Sequence, residues 1–119
     1  MIRHIVLVRF RKDAGSATVN ATFEALKRLK AVVPGIRAIH VGANISPEGL
    51  GRGYSHAFTV DFDDEAARDR YLADEDHAKV GAALVAAAEG GIEGLAVVDF
   101  EVEERVERPS AASSPQSLA

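Results

Sequence analysis

Cysteine is absent from the 119-residue chain. That removes disulfides, thiol catalysis and cysteine-based metal sites together. No long basic run is present and the net charge is −4, which argues against a nucleic-acid partner. No apolar run approaches the roughly 20 residues that span a bilayer, which argues against a membrane one. Ile2 to Phe10 reads as a strand rather than the apolar stretch of a secretory leader, so the cytoplasm is the expected compartment. No internal repeat is visible. Gly49-Leu-Gly51-Arg-Gly53 lacks the Lys-Ser/Thr of a phosphate loop and opens no helix, so it reads as a flexible loop.

What is present suits one α+β domain. The chain is 47% hydrophobic, enough for a core, and 27% charged, enough for a solvated surface. Ile2–Phe10 carries apolar residues on both faces, with His4 on the side of Ile2, Val6, Val8 and Phe10. Ile5 and Leu7 point the other way. A strand apolar on both sides belongs in the middle of a sheet. A helix follows, with Ser16 or Thr18 as candidate N-caps and an apolar stripe of Val19, Phe23, Leu26, Leu29 and Val33. Pro34-Gly35 stops it. Strands are predicted over Ile36–Val41 and Tyr54–Phe62, separated by a loop over Gly42–Gly53. The third strand puts His56, Phe58, Val60 and Phe62 on one face. Asp63 or Asp64 caps a helix to Leu72. Ala73-Asp74-Glu75-Asp76 interrupts it, and a second piece, capped by Asp76, runs from His77 to about Ala88. Leu95–Val102 is the last strand.

The order is β-α-β-β-α-β, the ferredoxin-like arrangement, with a four-stranded antiparallel sheet. Right-handed crossovers put both helices on one face. The other face then carries apolar residues with nothing over them, and a second copy packed sheet to sheet would cover it.

Four histidines carry most of the potential chemistry. His4 and His56 sit mid-strand, each needing a hydrogen-bond partner. Their strands are neighbours in this fold, so the two rings are placed to approach each other. Tyr71 and His77 would point about 120° apart on an unbroken helix, but a break between them lets both turn to one pocket. The helix end disfavours a charged His77 and the nearby acids favour it. Either balance leaves it titrating near neutrality, as an acid or base requires. The plainer reading is a core pair for His4 and His56, a rim hydroxyl for Tyr71 and an exposed helix start for His77. His40 has no matching company and reads as incidental. No His-x-His or acidic spacing supports a metal.

An ordered set of short motifs then resembles the Dabb family, the stress-responsive dimeric α/β-barrel proteins that include olivetolic acid cyclase. The set comprises Ile2-Arg-His4-Ile-Val-Leu-Val-Arg-Phe10, Val33-Pro34-Gly35-Ile36, the loop Gly42-Ala-Asn44-Ile-Ser46-Pro-Glu48-Gly49-Leu50, and Gly53-Tyr54-Ser55-His56-Ala57-Phe58. Tyr71-Leu72 with His77, and Val97-Val98-Asp99-Phe100, complete it. The resemblance implies a dimeric α/β-barrel domain over 1–103, followed by a flexible tail over 104–119. It also implies a cavity between each sheet and its helices, and ring closure of a linear polyketide thioester by intramolecular aldol condensation without metal or organic cofactor. By the same resemblance His77 is the general base and Tyr71 the donor to the developing oxyanion. His4 and His56 orient the substrate, and Phe23, Leu26 and Phe58 shape the pocket. The sequence departs from the family in reading Asp74-Glu75-Asp76-His77 where many members have His-Pro-x-His. An aromatic at 58 also narrows the cavity, so the polyketide itself does not carry over.

Three functions follow as expectations. The first is a cofactor-free lyase or cyclase acting by proton abstraction on a carbonyl compound. The second is a non-catalytic stress-responsive or ligand-binding dimer. The third, weaker, is a cofactor-independent monooxygenase. All three share a homodimer that takes a small molecule.

Overall fold

The computed structural model describes residues 1–103. The tail expected over 104–119 lies outside the described residues. The chain forms β1 (Ile2–Val8), α1 (Ser16–Val32), β2 (Ile36–Ala43), β3 (His56–Phe62), α2 (Glu65–Ala73), α3 (Glu75–Ala87) and β4 (Leu95–Glu101), with a 3₁₀ turn over Gly91–Gly94. The strands build one four-stranded sheet in the order β2-β3-β1-β4. Every pairing is antiparallel. This is the ferredoxin-like β-α-β-β-α-β fold, with its second helix divided in two.

The strand alternation decides the layers. Ile2, His4, Val6 and Val8 face the helices and are buried, as are Phe58, Val60 and Phe62 of β3. Val19, Phe23, Leu26 and Leu29 of α1, Tyr71 of α2 and Leu84 of α3 close over them. Each such apolar side chain contributes roughly 1.5–3 kcal/mol relative to exposure. Pro34-Gly35 ends α1 as expected. Gly35 adopts φ +89°, and a Cβ there would meet the Ala67 Cβ at 2.5 Å, so glycine alone lets this turn approach α2.

Among the described residues no helix covers the opposite sheet face. Ile5 and Leu7 are half-buried there, beside Val98 (61% exposed) and Phe100 (45% exposed). At one end Arg3 donates to both Asp61 oxygens at 2.8 and 3.1 Å across neighbouring strands. His40 lies on this same face, opposite Thr59, and is exposed. Among the described residues no helix is long and apolar enough to cross a membrane.

Several boundaries differ from expectation. β1 ends at Val8, and Phe10 makes only an isolated bridge to Ala88. Neither Ser16 nor Thr18 caps α1. The tight turn joining Ala14 N to Arg11 O brings the chain round early, and extended Gly15 is the N-cap, without a side-chain bond. β3 begins at His56 rather than Tyr54, and β2 extends to Ala43.

Candidate active site

One residue separates the two helices that carry Tyr71 and His77. Asp64 caps α2 by accepting from Ala67 N at 2.8 Å. Asp74 then serves as C-cap of α2 and N-cap of α3. Its Oδ1 accepts from Asp76 N at 2.8 Å and His77 N at 3.0 Å. The interruption is therefore Asp74 alone, not four residues, and Asp74 rather than Asp76 is the cap. The physical reason is that the earlier aspartate satisfies two orphan amides at once. Asp74→Ala is expected to cost about 1 kcal/mol of stability, read as a lower midpoint in urea unfolding, with Asp74→Asn recovering most of it.

The redirection at Asp74 brings the two rings together. Tyr71 and His77 have centroids 4.1 Å apart at an interplanar angle of 45°. Tyr71 is 1% exposed, so it is not the rim residue of the plainer reading. Burial pushes its phenol well above the ordinary value of 10.0 and keeps it protonated. Among the described residues nothing accepts from its hydroxyl. His77 is half-buried, and its Nδ1 is shut from solvent with no hydrogen-bond partner. Burial lowers its pKa from 6.5, as does nearby His4, against partial recovery from Asp74 and the Leu72 carbonyl. A neutral imidazole thus lies on a protonated phenol.

His4 approaches from the sheet, its ring centroid 6.0 Å from that of Tyr71. Its Nδ1 lies 2.7 Å from Asp99 Oδ1, and Asp99 Oδ2 accepts from Arg68 Nη1 at 3.2 Å. A carboxylate only accepts, so Nδ1 carries the hydrogen and a neutral His4 presents Nε2 as an acceptor. The sequence left room for His4 and His56 to approach each other, and the structure keeps them apart. The register sets His4 opposite Val60 and His56 opposite Val8. Four residues of strand, roughly 13 Å, therefore separate the two histidines. His56 instead packs against Phe10 and Phe23 at centroid distances of 5.0 and 5.7 Å, with Nδ1 2.9 Å from Ser55 Oγ. Burial lowers the pKa of His56. It is half-buried against two aromatic rings, away from the cleft.

Asp99 and Arg68 had no assigned role in the sequence reading. The signal for Asp99 was available. A buried-face histidine in β1 demands a partner, and Asp99 is the acid that interrupts the apolar run of β4, opposite His4. Arg68 offered no comparable signal, because its place on α2 depends on how that helix docks.

Two neighbouring spaces adjoin the pair. A small chamber of about 20 Å³ lies between α1, α3 and β3, lined by Phe23, Leu26, Phe58, Tyr71 and His77 among others. A larger cleft of about 470 Å³ opens toward β4, bounded by His4, Tyr71, His77, Leu84, Val97 and Asp99 among others. Phe58, Tyr71 and His77 border both. Six of the seven expected site residues thus gather here, and His56 does not. Among the described residues no three His, Cys, Asp or Glu side chains converge as metal ligands.

Comparison with known proteins agrees with this architecture. The family model described as Stress responsive A/B Barrel Domain (Dabb) matches residues 2–102. The chain is 22% identical over 100 residues to the stress-response A/B barrel domain-containing protein HS1 of Arabidopsis thaliana, covering 84% of this chain and 88% of that one. Among solved structures, it is similar to a dimeric ferredoxin-like protein of unknown function from Jannaschia sp. CCS1. The TM-score is 0.79 and the identity 29%, over 85% of this chain and 98% of that one. A hydroxynitrile lyase from Passiflora edulis shares the fold with a TM-score of 0.77 at 18% identity, over 89% of this chain and 96% of that one.

Proposed function

The chain belongs to the stress responsive A/B barrel (Dabb) family, and on that footing we propose that it is a homodimeric enzyme moving protons on small carbonyl compounds. The carrying observation is the neutral His77 imidazole stacked on the buried Tyr71 phenol, both at the edge of a cleft of about 470 Å³. That volume falls in the range of about 300–1,000 Å³ typical of ligand sites.

In the aldol direction, His77 takes a proton from the carbon beside a carbonyl. The electron pair moves onto the carbonyl oxygen, where the Tyr71 hydroxyl donates a hydrogen bond. The enolate carbon attacks a second carbonyl carbon, a C–C bond forms, and the new alkoxide recovers the proton from His77. The reverse path breaks the same bond with the same groups. Arg68 and Asp99 hold His4 against Tyr71, so the donor is fixed before substrate arrives. The lyase from Passiflora edulis lends the fold a precedent for lyase chemistry. For the dimer, the support is the helix-free face around Ile5, Leu7, Val98 and Phe100 and the dimeric relative from Jannaschia.

The test is release of benzaldehyde from its aldol adduct with acetone, followed by absorbance, with mandelonitrile as a second probe. Cleavage faster than buffer is expected, with kcat/KM falling on acidification through a pKa below 6.5, because His77 must be neutral. Tyr71 adds no alkaline limb below its ordinary value of 10.0, since burial holds it protonated. Tyr71→Phe removes a hydroxyl without a protein partner, so stability holds while the rate drops by about 10²-fold. A folded protein that leaves both probes at the background rate overturns the enzymatic reading in favour of a binding role.

A further inference from the structure

Glycine in a helix interior is unfavourable, yet Gly81 lies in the middle of α3. It follows His77 by four residues and precedes Leu84 by three, and these spacings put all three on one helix face. All three border both the small chamber and the larger cleft. Nothing in the packing demands a glycine here: among the described residues, its chain neighbours and its own helix backbone aside, no heavy atom lies within 4 Å of where a Cβ would stand. The position a Cβ would take is open, on a residue that borders both spaces together with His77.

We infer that Gly81 determines substrate size by leaving room for one small apolar group beside His77, so that the enzyme takes methyl ketones whose larger portion stays in the cleft. The inference rests on the reading of this cleft as a substrate site. A chamber of about 20 Å³ holds one water-sized group, since about 10–15 Å³ admits a water. Apart from Tyr71 and His77, its walls favour carbon. Phe23, Leu26, Phe58, Val80 and Leu84 are apolar, and the Thr22 hydroxyl donates to the Thr18 carbonyl at 2.8 Å. A methyl seated there presents its hydrogens to the base, and the ketone oxygen meets the Tyr71 hydroxyl.

The test is binding, by titration calorimetry and thermal shift, of acetophenone, propiophenone and isobutyrophenone to the full chain. Wild type is expected to bind acetophenone about tenfold more tightly than isobutyrophenone, the scale of one or two extra methyl groups in a fitted pocket. Gly81→Ala is expected to bind acetophenone about tenfold more weakly. It should also melt about 4 °C higher without ligand, because alanine suits the helix better. A loss of binding in a protein that has become more stable cannot come from misfolding. Wild type indifferent to branching, wild type blind to all three ketones, or Gly81→Ala with unchanged acetophenone affinity each overturns the inference. These are equilibrium measurements, so an absence of turnover with the affinity order intact overturns the enzymatic reading and not this one.

Discussion

His77→Ala is expected to slow cleavage of the benzaldehyde–acetone adduct by about 10²–10⁴-fold, the usual contribution of a positioned acid or base. The loss should fall on kcat more than on KM, because the proton is moved in the transition state and the cleft walls that hold the substrate remain. The cost to stability is small by comparison. Among the described residues His77 Nδ1 has no hydrogen-bond partner, and the Leu72 carbonyl near the ring lies at a helix end. The helix start is secured by Asp74 through the His77 backbone amide, which alanine keeps. His77→Gln separates packing from chemistry, since it fills much of the space without a titrating ring. Circular dichroism should show both variants folded. If either cleaves the adduct at the wild-type rate, His77 is not the base.

The second large effect concerns the helix-free sheet face. Val98→Asp is expected to convert a dimer into monomers at micromolar concentration, read by sedimentation velocity. Val98 is 61% exposed within one subunit, so a carboxylate there leaves the subunit fold intact. In a face-to-face pair it would be buried against apolar surface, and the two-fold axis would impose the penalty twice. An unpaired buried charge costs several kcal/mol, and each 1.4 kcal/mol is a factor of ten in affinity. The dissociation constant should therefore rise by at least about 10³-fold. Wild type that sediments as a single subunit sinks the homodimer. A variant that remains paired moves the interface to another surface.

The fold was legible because apolar periodicity and stop signals agreed. The alternation around His4, the stripe from Val19 to Leu29 and the Pro34-Gly35 stop each pointed to one element, and the strand order followed from connection handedness. The site was legible in part. Tyr71 and His77 were paired through a break whose position was misread, because Asp74 and Asp76 are chemically equal candidates for a cap. Choosing between them requires knowing which amides are left orphaned. Two histidines on adjacent strands looked like neighbours, but strand adjacency fixes no register, and a shift of four residues separated them. Asp99 escaped notice because an acid near a chain's last strand reads as surface. Gly81 drew no attention among alanines, since only the empty volume around it shows why a side chain is missing.

β1 is a single layer of backbone whose consecutive residues answer to different neighbours: His4 to Tyr71 and Asp99, Ile5 to the uncovered face. Parity along this strand is thus a shared switch. Slipping the strand by one position would send an imidazole outward and an isoleucine into the cleft, altering the uncovered face and the cleft wall in the same event. Point substitutions such as Val98→Asp or His77→Ala touch one side at a time, whereas a register error in β1 would reach both.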